Sequence, residues 1–190
     1  RVKDPQTGET TIVRVPTFGQ NLSFMFRYQL GFMYFRYFMW NFSGRQNDIQ
    51  STGGPVNGNW ITGIDFLDAP RVGSVKGMPD DMKNAPSRNK YYLLPFILGL
   101  AGFLWHFNRD IRNWWIVVLL FVMTGIAIVI YLNQYPNQPR ERDYAYAASF
   151  YAFTIWIGLG VLALFELIRK VTGETPAAVI ASLLTFAAVP

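Results

Sequence analysis

The sequence has no cysteine and only one histidine among its 190 residues. Without cysteine there can be no disulfide framework, no thiol catalysis and no cysteine-based metal site, and a single histidine excludes the usual histidine-rich metal centres. Charged residues make up only 15% of the chain, and the net charge of +5 is spread out with no lysine- or arginine-rich block. A nucleic-acid partner is therefore not expected.

Apolar residues, in contrast, are abundant: the chain is 51% hydrophobic and 17% aromatic, which is too apolar for an ordinary soluble domain. They are also unevenly placed, because the first 90 residues hold 11 of the 17 Lys and Arg and 7 of the 12 Asp and Glu. The rest of the chain is largely membrane-like. The sequence therefore predicts a polar N-terminal region followed by a helical membrane region, and membrane lipid as a partner.

The membrane region covers residues 91–190. A helix crosses a bilayer with about 20 mostly apolar residues. We therefore expect an all-α, multi-pass membrane protein. Because the chain starts at Arg1 without a signal-peptide pattern and its last apolar run stops short of a full span, we expect an internal fragment of a longer protein. The predicted spans are about 91–107, 114–132, 145–168 and a truncated 177–190.

The polar region is predicted to have three parts. Residues 1–17 form an extended or turn segment, and residues 18–42 an aromatic, amphipathic helix that lies in the membrane interface or packs on the membrane bundle. Residues 43–90 are rich in Gly, Pro, Asn and Asp, which indicates a loop-rich segment. At about 100° per residue, Gln29 and Arg36 point from the apolar face of the helix. Arg36 either reaches water along its long stem or is buried with an acidic or phosphate partner.

The most informative stretch is NQYPNQPRERDY, residues 133–144, between two predicted spans. Lipid cannot satisfy its proline-broken backbone, so it must lie at the membrane surface or line a cavity. Its arginines could grip a phosphate, and its carboxylates could act as a base, orient another residue or coordinate a divalent cation. Alternatively, the charges pair with each other and anchor the loop. The residues concerned are Arg140, Glu141, Arg142 and Asp143, with Tyr144 and Tyr146 as a possible aromatic wall.

A second polar group lies where the aromatic helix gives way to the loop-rich segment, in the string FRYFMWNFSGRQND. Arg36, Asn41 and Arg45 belong to it. Because membrane spans alternate in direction, this group and residues 133–144 fall on the same membrane face. They could complete one polar pocket there, or the group could be a solvated helix end.

Small residues in the third predicted span indicate close helix packing. The pairs concerned are Ala148 with Ala152, and Gly158 with Gly160.

Four strings carry a resemblance to a known family: FRYFMWNFSGRQND, YYLLPFILGLAGF, TGIAIVIYLNQYPNQPRERDYAYAASFYAF and IWIGLGVLAL. They resemble the protein O-mannosyltransferase-like membrane family abundant in Bacteroidetes. The resemblance covers most of residues 20–168, and PRERDY is its most specific part. It implies a GT-C-type fold with its active site at the extracytoplasmic face. It also implies a polyprenyl-phosphate sugar donor and a Ser or Thr hydroxyl acceptor on an exported protein.

The resemblance further implies a place in the bacterial inner membrane, with residues 1–90 and 133–144 facing the periplasm. The donor phosphate would be held by Arg140 and Arg142, with Arg36 and Arg45 adding to the grip. The catalytic base is expected upstream of this chain, so the notable polar residues are assigned to donor binding or site organisation. Besides the lipid-linked donor no cofactor is implied, although a divalent cation is possible. The full assignment is Arg140, Arg142, Glu141, Asp143, Tyr144, Arg36, Arg45 and Asn41.

Two other classes of protein remain open from the residues alone. The chain could be a non-enzymatic scaffold or subunit of an envelope complex, with residues 1–90 as its docking platform. A transporter is the third possibility, but it would need ionisable residues or broken helices near mid-membrane. The three fuller predicted spans carry no charge at mid-span.

Overall fold

The computed structural model describes residues 2–3, 10–11, 15–51, 53–136 and 142–188, and it is mostly helical, as the sequence predicts. In the described part, β1 (Val2–Lys3) pairs antiparallel with β2 (Thr10–Thr11), and β3 (Gly44–Arg45) pairs antiparallel with β4 (Asn89–Lys90). The α-helices are α1 (Phe18–Phe24), α2 (Arg36–Phe42), α3 (Asp65–Val72), α4 (Asp80–Lys83), α5 (Leu94–Arg109), α6 (Ile111–Thr124), α7 (Ile126–Leu132), α8 (Ala147–Thr172) and α9 (Glu174–Ala188). Short 3₁₀ turns cover Val75–Gly77 and Asp143–Tyr146.

The first long helix, Phe18–Phe42, is not α-helical throughout. It begins with a capping box, in which Thr17 and Gln20 each accept a hydrogen bond from the other's backbone N–H. Between α1 and α2, Met25–Phe35 is a π-helix, whose i→i+5 hydrogen bonds widen the turn. The faces expected at 100° per residue therefore shift along this segment, in which Gln29, Met33 and Tyr34 are buried.

An aromatic core joins this helix to the helices that follow. The Phe38 ring lies 4.8 Å from that of Phe153 and 4.9 Å from that of Phe42, measured between centroids. Rings of α5, α6 and α8 complete the shell around Phe38, each at edge-to-face angles that aromatic pairs favour. Of the two placements expected for the aromatic helix, α2 thus adopts the packed one. The additional shell residues are Phe96, Phe121 and Phe150.

Glycine lets α5 and α8 cross with their backbones in contact. A Cβ on Gly102 would overlap the Trp156 carbonyl oxygen, and one on Gly160 would overlap the Leu98 carbonyl oxygen. The packing expected of Gly160 is therefore present. Gly158 has nothing within 4 Å of its Cβ position, so it plays no part in this crossing. Small residues at such a crossing let helices pack closely in lipid, where no hydrophobic driving force brings helices together.

Gly125 divides the second predicted span into α6 and α7, with φ −118° and ψ −86°. The hydroxyls of Tyr34 and Ser149 are 2.6 Å apart and fill the space beside it. A Cβ at Gly125 would lie 2.5 Å from the Ser149 oxygen and 2.6 Å from the Tyr34 oxygen. The continuous helix expected over 114–132 is therefore interrupted at Gly125, where only a glycine leaves room for the hydroxyl pair.

Two helical segments in the described part of the chain are long and apolar enough to cross a membrane. They are Ile111–Leu132, with a mean hydropathy of 2.7, and Asp143–Thr172, with 1.9. Only 11% and 28% of their most apolar stretches are buried, whereas the core helix of a soluble protein is mostly buried. α5 and α9 are shorter, at 16 and 15 residues. The exposed apolar faces require lipid or further protein to cover them.

The loop-rich segment is folded onto the end of α2. Ser43 donates its hydroxyl to the Ile61 carbonyl at 2.7 Å, and Ile61 is fully buried. The Asp68 carboxylate, 3% exposed, accepts from the backbone N–H groups of Thr62 and Gly63. These bonds satisfy buried backbone groups that no regular sheet pairs.

Asp65 closes the turn after α3. Its carboxylate accepts from the Val75 backbone N–H and the Ser74 hydroxyl, each at 2.8 Å, and these bonds lower its pKa. A depressed folded-state pKa gives stabilisation that is present above the ordinary aspartate value of about 3.9 and lost as pH falls through the folded value. We expect Asp65→Asn to lower the unfolding temperature at pH 7. Below pH 4 the difference in unfolding temperature between the variant and wild type should become smaller. Asp81→Asn, at an exposed aspartate, is the control. If the difference in unfolding temperature between Asp65→Asn and wild type did not change with pH, the ionised Asp65 carboxylate would not be the source of the stabilisation.

Candidate functional site

Only part of the predicted charged loop can be located. Arg140 and Glu141 lie outside the described residues. Arg142 is half-buried just before the 3₁₀ turn that leads into α8, and Asp143 and Tyr144 are exposed beside it. Arg142 therefore lies directly before the second candidate span, Asp143–Thr172.

We use the name Arg142 cluster for half-buried Arg142 together with the buried polar side chains of Tyr37, Gln134 and Tyr146. Tyr37 and Tyr146 are fully buried, with ring centroids 6.5 Å apart, and Gln134 is 5% exposed. The Arg142 guanidinium is close enough to the Tyr146 hydroxyl to interact with it electrostatically. Aromatic packing fixes the tyrosines, since Tyr146 also lies edge-on to the Tyr34 ring.

The members of this cluster carry polar atoms without partners. Within the described residues, no hydrogen bond reaches the Tyr37 or Tyr146 hydroxyl, Nε of Arg142, or either side-chain amide atom of Gln134. An unsatisfied buried polar group costs about 1–3 kcal/mol, and such groups are few in native proteins. Buried groups of this kind take their partners from ordered water, from other parts of the protein or from a bound polar ligand.

A cleft of about 470 Å³ adjoins the cluster between the first helix and the end of α7. Its polar lining consists of carboxamides, and we call it the carboxamide cleft. Gln29 joins it to the cluster, because its Nε2 donates to the Gln134 carbonyl at 3.1 Å. Tyr28, the preceding residue, interacts electrostatically with Tyr146 and donates its hydroxyl to the Tyr135 carbonyl at 3.5 Å. The residues lining the cleft are Asn21, Leu22, Phe24, Met25, Gln29, Ile130 and Asn133.

Arg36 is buried rather than extended to water, being 3% exposed. Its Nη1 donates to the Gly58 carbonyl at 2.8 Å and its Nε to the Phe32 carbonyl at 3.0 Å. The guanidinium lies 4.2 Å from the centroid of Tyr37, whose ring places it next to the Arg142 cluster. These contacts hold the loop-rich segment against the first helix. Of the two alternatives for Arg36, burial is the one observed, and the extended side chain that reaches water is excluded.

The other two predicted residues of this group also contact their own surroundings. Arg45 donates from Nε to the Ser87 carbonyl at 3.1 Å and lies over the Trp40 ring. Asn41 is exposed and donates to the Tyr37 carbonyl at 2.8 Å, one helical turn back. These bonds hold the surrounding backbone in place, and the role of Arg45 and Asn41 in a donor site stays a prediction.

Sequence reasoning did not single out Tyr37 or Gln134. Gln134 lies within residues 133–144, where the prediction was based on the charged side chains. Tyr37 shows no local sequence pattern, because its role depends on a contact with Tyr146. Gln29 did give a signal, as a polar residue on an apolar helical face. For a divalent cation, the described residues contain no group of three or more His, Cys, Asp or Glu side chains that could hold one.

The chain was compared with known protein families, with curated proteins and with solved structures, and none of the three comparisons gave a match. The class of protein that the fold defines is a mostly helical chain with two candidate membrane-spanning helices.

Proposed function

We propose that this chain is part of a multi-pass membrane glycosyltransferase of the bacterial inner membrane. It transfers a mannose-like sugar from a polyprenyl-phosphate donor to Ser or Thr of exported proteins at the periplasmic face. The class of reaction is supported by the resemblance of the sequence strings around PRERDY. The place of donor binding is supported by one observation: the unpartnered polar atoms of the Arg142 cluster beside that loop.

The cluster suits a phosphate because most of its unpartnered atoms are hydrogen-bond donors. Two tyrosine hydroxyls, the Gln134 amide nitrogen and Nε of Arg142 can all donate. Phosphate oxygens only accept, and a guanidinium adds charge as well as a planar pair of donors. A phosphate in contact with Arg142 would therefore satisfy several of these groups at once.

The cluster also has the position that a lipid-linked donor requires. It lies where α7 ends and α8 begins, at the ends of both candidate spans. A headgroup there would be at the membrane surface, and its prenyl chain would enter the bilayer beside the helices. Asp143 and Tyr144 are exposed at the rim, so we assign them to donor binding or site organisation.

In the proposed transfer, the acceptor hydroxyl oxygen bonds to the anomeric carbon and the bond from that carbon to the phosphate oxygen breaks. Polyprenyl phosphate leaves with the bonding electrons, and a base takes the hydroxyl proton. Arg142 stabilises the negative charge that the phosphate oxygen gains when this bond breaks. None of the described residues is assigned as this base.

The test is donor binding by the protein in nanodiscs. Arg142→Gln should weaken binding of polyprenyl-phosphate mannose about 10- to 100-fold, because a charge-assisted hydrogen bond is worth about 1.5–3 kcal/mol. Arg112→Gln, at an exposed arginine in the first turn of α6, is the matched control and should bind as wild type does. Equal binding by all three proteins would leave the loop as architecture and favour the scaffold class.

Tyr146→Phe separates a ligand-binding role from a structural one. Removing an unpartnered buried hydroxyl should leave the unfolding temperature unchanged or raise it. If the hydroxyl donates to the phosphate, the same variant should weaken donor binding about threefold to tenfold. Stability and affinity would then move in opposite directions. A variant that binds the donor as tightly as wild type would remove Tyr146 from the site.

A further inference from the structure

The carboxamide cleft has a lining that is polar but uncharged. Of the residues lining it, Asn21, Gln29 and Asn133 are polar, and none carries a charge. Its volume of about 470 Å³ falls within the range of small-molecule pockets, roughly 300–1,000 Å³. The cleft is therefore suited to a neutral polar group rather than to an anion or a cation.

The hydrogen bonds around Gln29 fix the orientation of its amide. Nε2 donates to the Asn133 Oδ1 atom at 2.8 Å and to the Gln134 carbonyl at 3.1 Å, so the other amide atom must be the oxygen. Oε1 of Gln29 is then left to accept, and Nδ2 of Asn133 is left to donate, with no other described residue bonded to either. Asn21, earlier on the first helix, adds a donor and an acceptor.

The lining of the cleft therefore offers both donors and acceptors. A hydroxyl group both donates and accepts, and a sugar presents several hydroxyls on one ring. The Phe24 ring adds an apolar wall, and it is held in place by stacking on Tyr28 with centroids 5.1 Å apart. This combination of amides and one aromatic face matches an uncharged sugar better than it matches a phosphate or an apolar chain.

The cleft is built on the π-helical part of the first helix, which contains Gln29. π-Helical turns are rare and occur frequently at functional sites. The wider turn places Gln29 at 4% exposure while it still lines the cleft. Since Gln29 also bonds to the Gln134 carbonyl, the cleft lies next to the Arg142 cluster.

We infer that the carboxamide cleft binds the uncharged hexose of the lipid-linked donor, next to the phosphate at the Arg142 cluster. This inference rests on the proposed function. It assigns sugar recognition to Asn21, Gln29 and Asn133 through hydrogen bonds and to Phe24 through ring contact. The lipid phosphate would meet the cationic cluster, and the sugar would meet neutral amides.

The experiment measures binding of two probes by the protein in nanodiscs: polyprenyl-phosphate mannose, and polyprenyl phosphate without a sugar. Asn21→Ala and Phe24→Ala should each weaken binding of the sugar-bearing lipid about threefold to tenfold and leave binding of the bare lipid unchanged. Ser23→Ala and Phe26→Ala are matched controls on the same helix, at exposed residues outside the cleft, and should bind both probes normally. Because Asn21 is exposed and has no side-chain bond to a described residue, Asn21→Ala should fold as wild type does.

Arg142→Gln distinguishes the failure of this inference from the failure of the proposed function. Arg142→Gln should weaken binding of both probes, because both carry the phosphate. If it does so while the cleft variants bind both probes normally, or lose both equally, the sugar does not lie in the cleft and the phosphate site stands. If the wild-type protein binds neither probe, the proposed function and the sugar site are both overturned.

Discussion

Gly102→Ala should separate α5 from α8 and lower the free energy of unfolding by about 3 kcal/mol or more. The new methyl group would overlap the Trp156 carbonyl oxygen and lie 2.5 Å from the Gly160 backbone nitrogen. Both are backbone atoms, so no side-chain rotation can make room and one helix must move. Overpacking of a well-packed interior costs typically about 1–3 kcal/mol, and a backbone overlap belongs at or above the upper end. Thermal unfolding in detergent, followed by tryptophan fluorescence, measures the change.

Gly158→Ala is the matched control, because it is the same substitution on the same pair of helices. Its Cβ would meet nothing within 4 Å. Alanine is a better helix former than glycine by about 1 kcal/mol, so this variant should be as stable as wild type or slightly more stable. If Gly102→Ala were equally harmless, the close crossing of α5 and α8 would be wrong, and with it the packing of Phe153 and Trp156 in the core.

The crossing illustrates how far the sequence could predict the fold. Long apolar runs indicated the helices around α6 and α8, because apolar length is readable from one chain. The small residues of α8 indicated close packing but not which of them makes it. Ala152 and Gly160 are buried, whereas Ala148 and Gly158 are exposed. With both faces of the helix apolar, no periodic signal distinguishes the contact face from the exposed one.

Two local features were beyond sequence reasoning for a physical reason. The π-helix at Met25–Phe35 has the composition of an ordinary aromatic helix, so a 100° period was applied where it does not hold. At Gly125, where the second predicted span is interrupted, the hydroxyl pair of Tyr34 and Ser149 comes from distant parts of the chain. Such a tertiary contact cannot be read from single-residue preferences.

The candidate site was predictable in part for the same reason. The charge and proline content of NQYPNQPRERDY indicated a polar loop between spans, and Arg142 is where that loop meets α8. Tyr37 and the carboxamides of the cleft come from the first helix, and only their contacts with Tyr146 and Gln134 bring them to the loop. A site assembled from two distant segments shows in the sequence only the segment that carries charge.

Arg36→Met should release the loop-rich segment from the first helix and lower the free energy of unfolding by about 2–4 kcal/mol. Methionine fills the volume of the arginine stem but donates no hydrogen bond, so the buried carbonyls of Phe32 and Gly58 lose their donor. The attraction between the guanidinium and the Phe32, Tyr37 and Trp40 rings is lost as well. Limited trypsin digestion should cut faster at Arg71 and Lys76, which mass spectrometry can identify.

Arg36→Lys tests whether geometry or charge is the cause. A lysine keeps the positive charge, but its ammonium cannot reproduce the planar fork that reaches two carbonyls and lies against three rings. We therefore expect Arg36→Lys to be no more stable than Arg36→Met. Arg27→Met, at an exposed arginine on the same helix, should leave both stability and digestion unchanged. If Arg36→Lys were as stable as wild type, a positive charge at this position would be sufficient. The hydrogen-bond geometry of the guanidinium between the helix and Gly58 would then not be required.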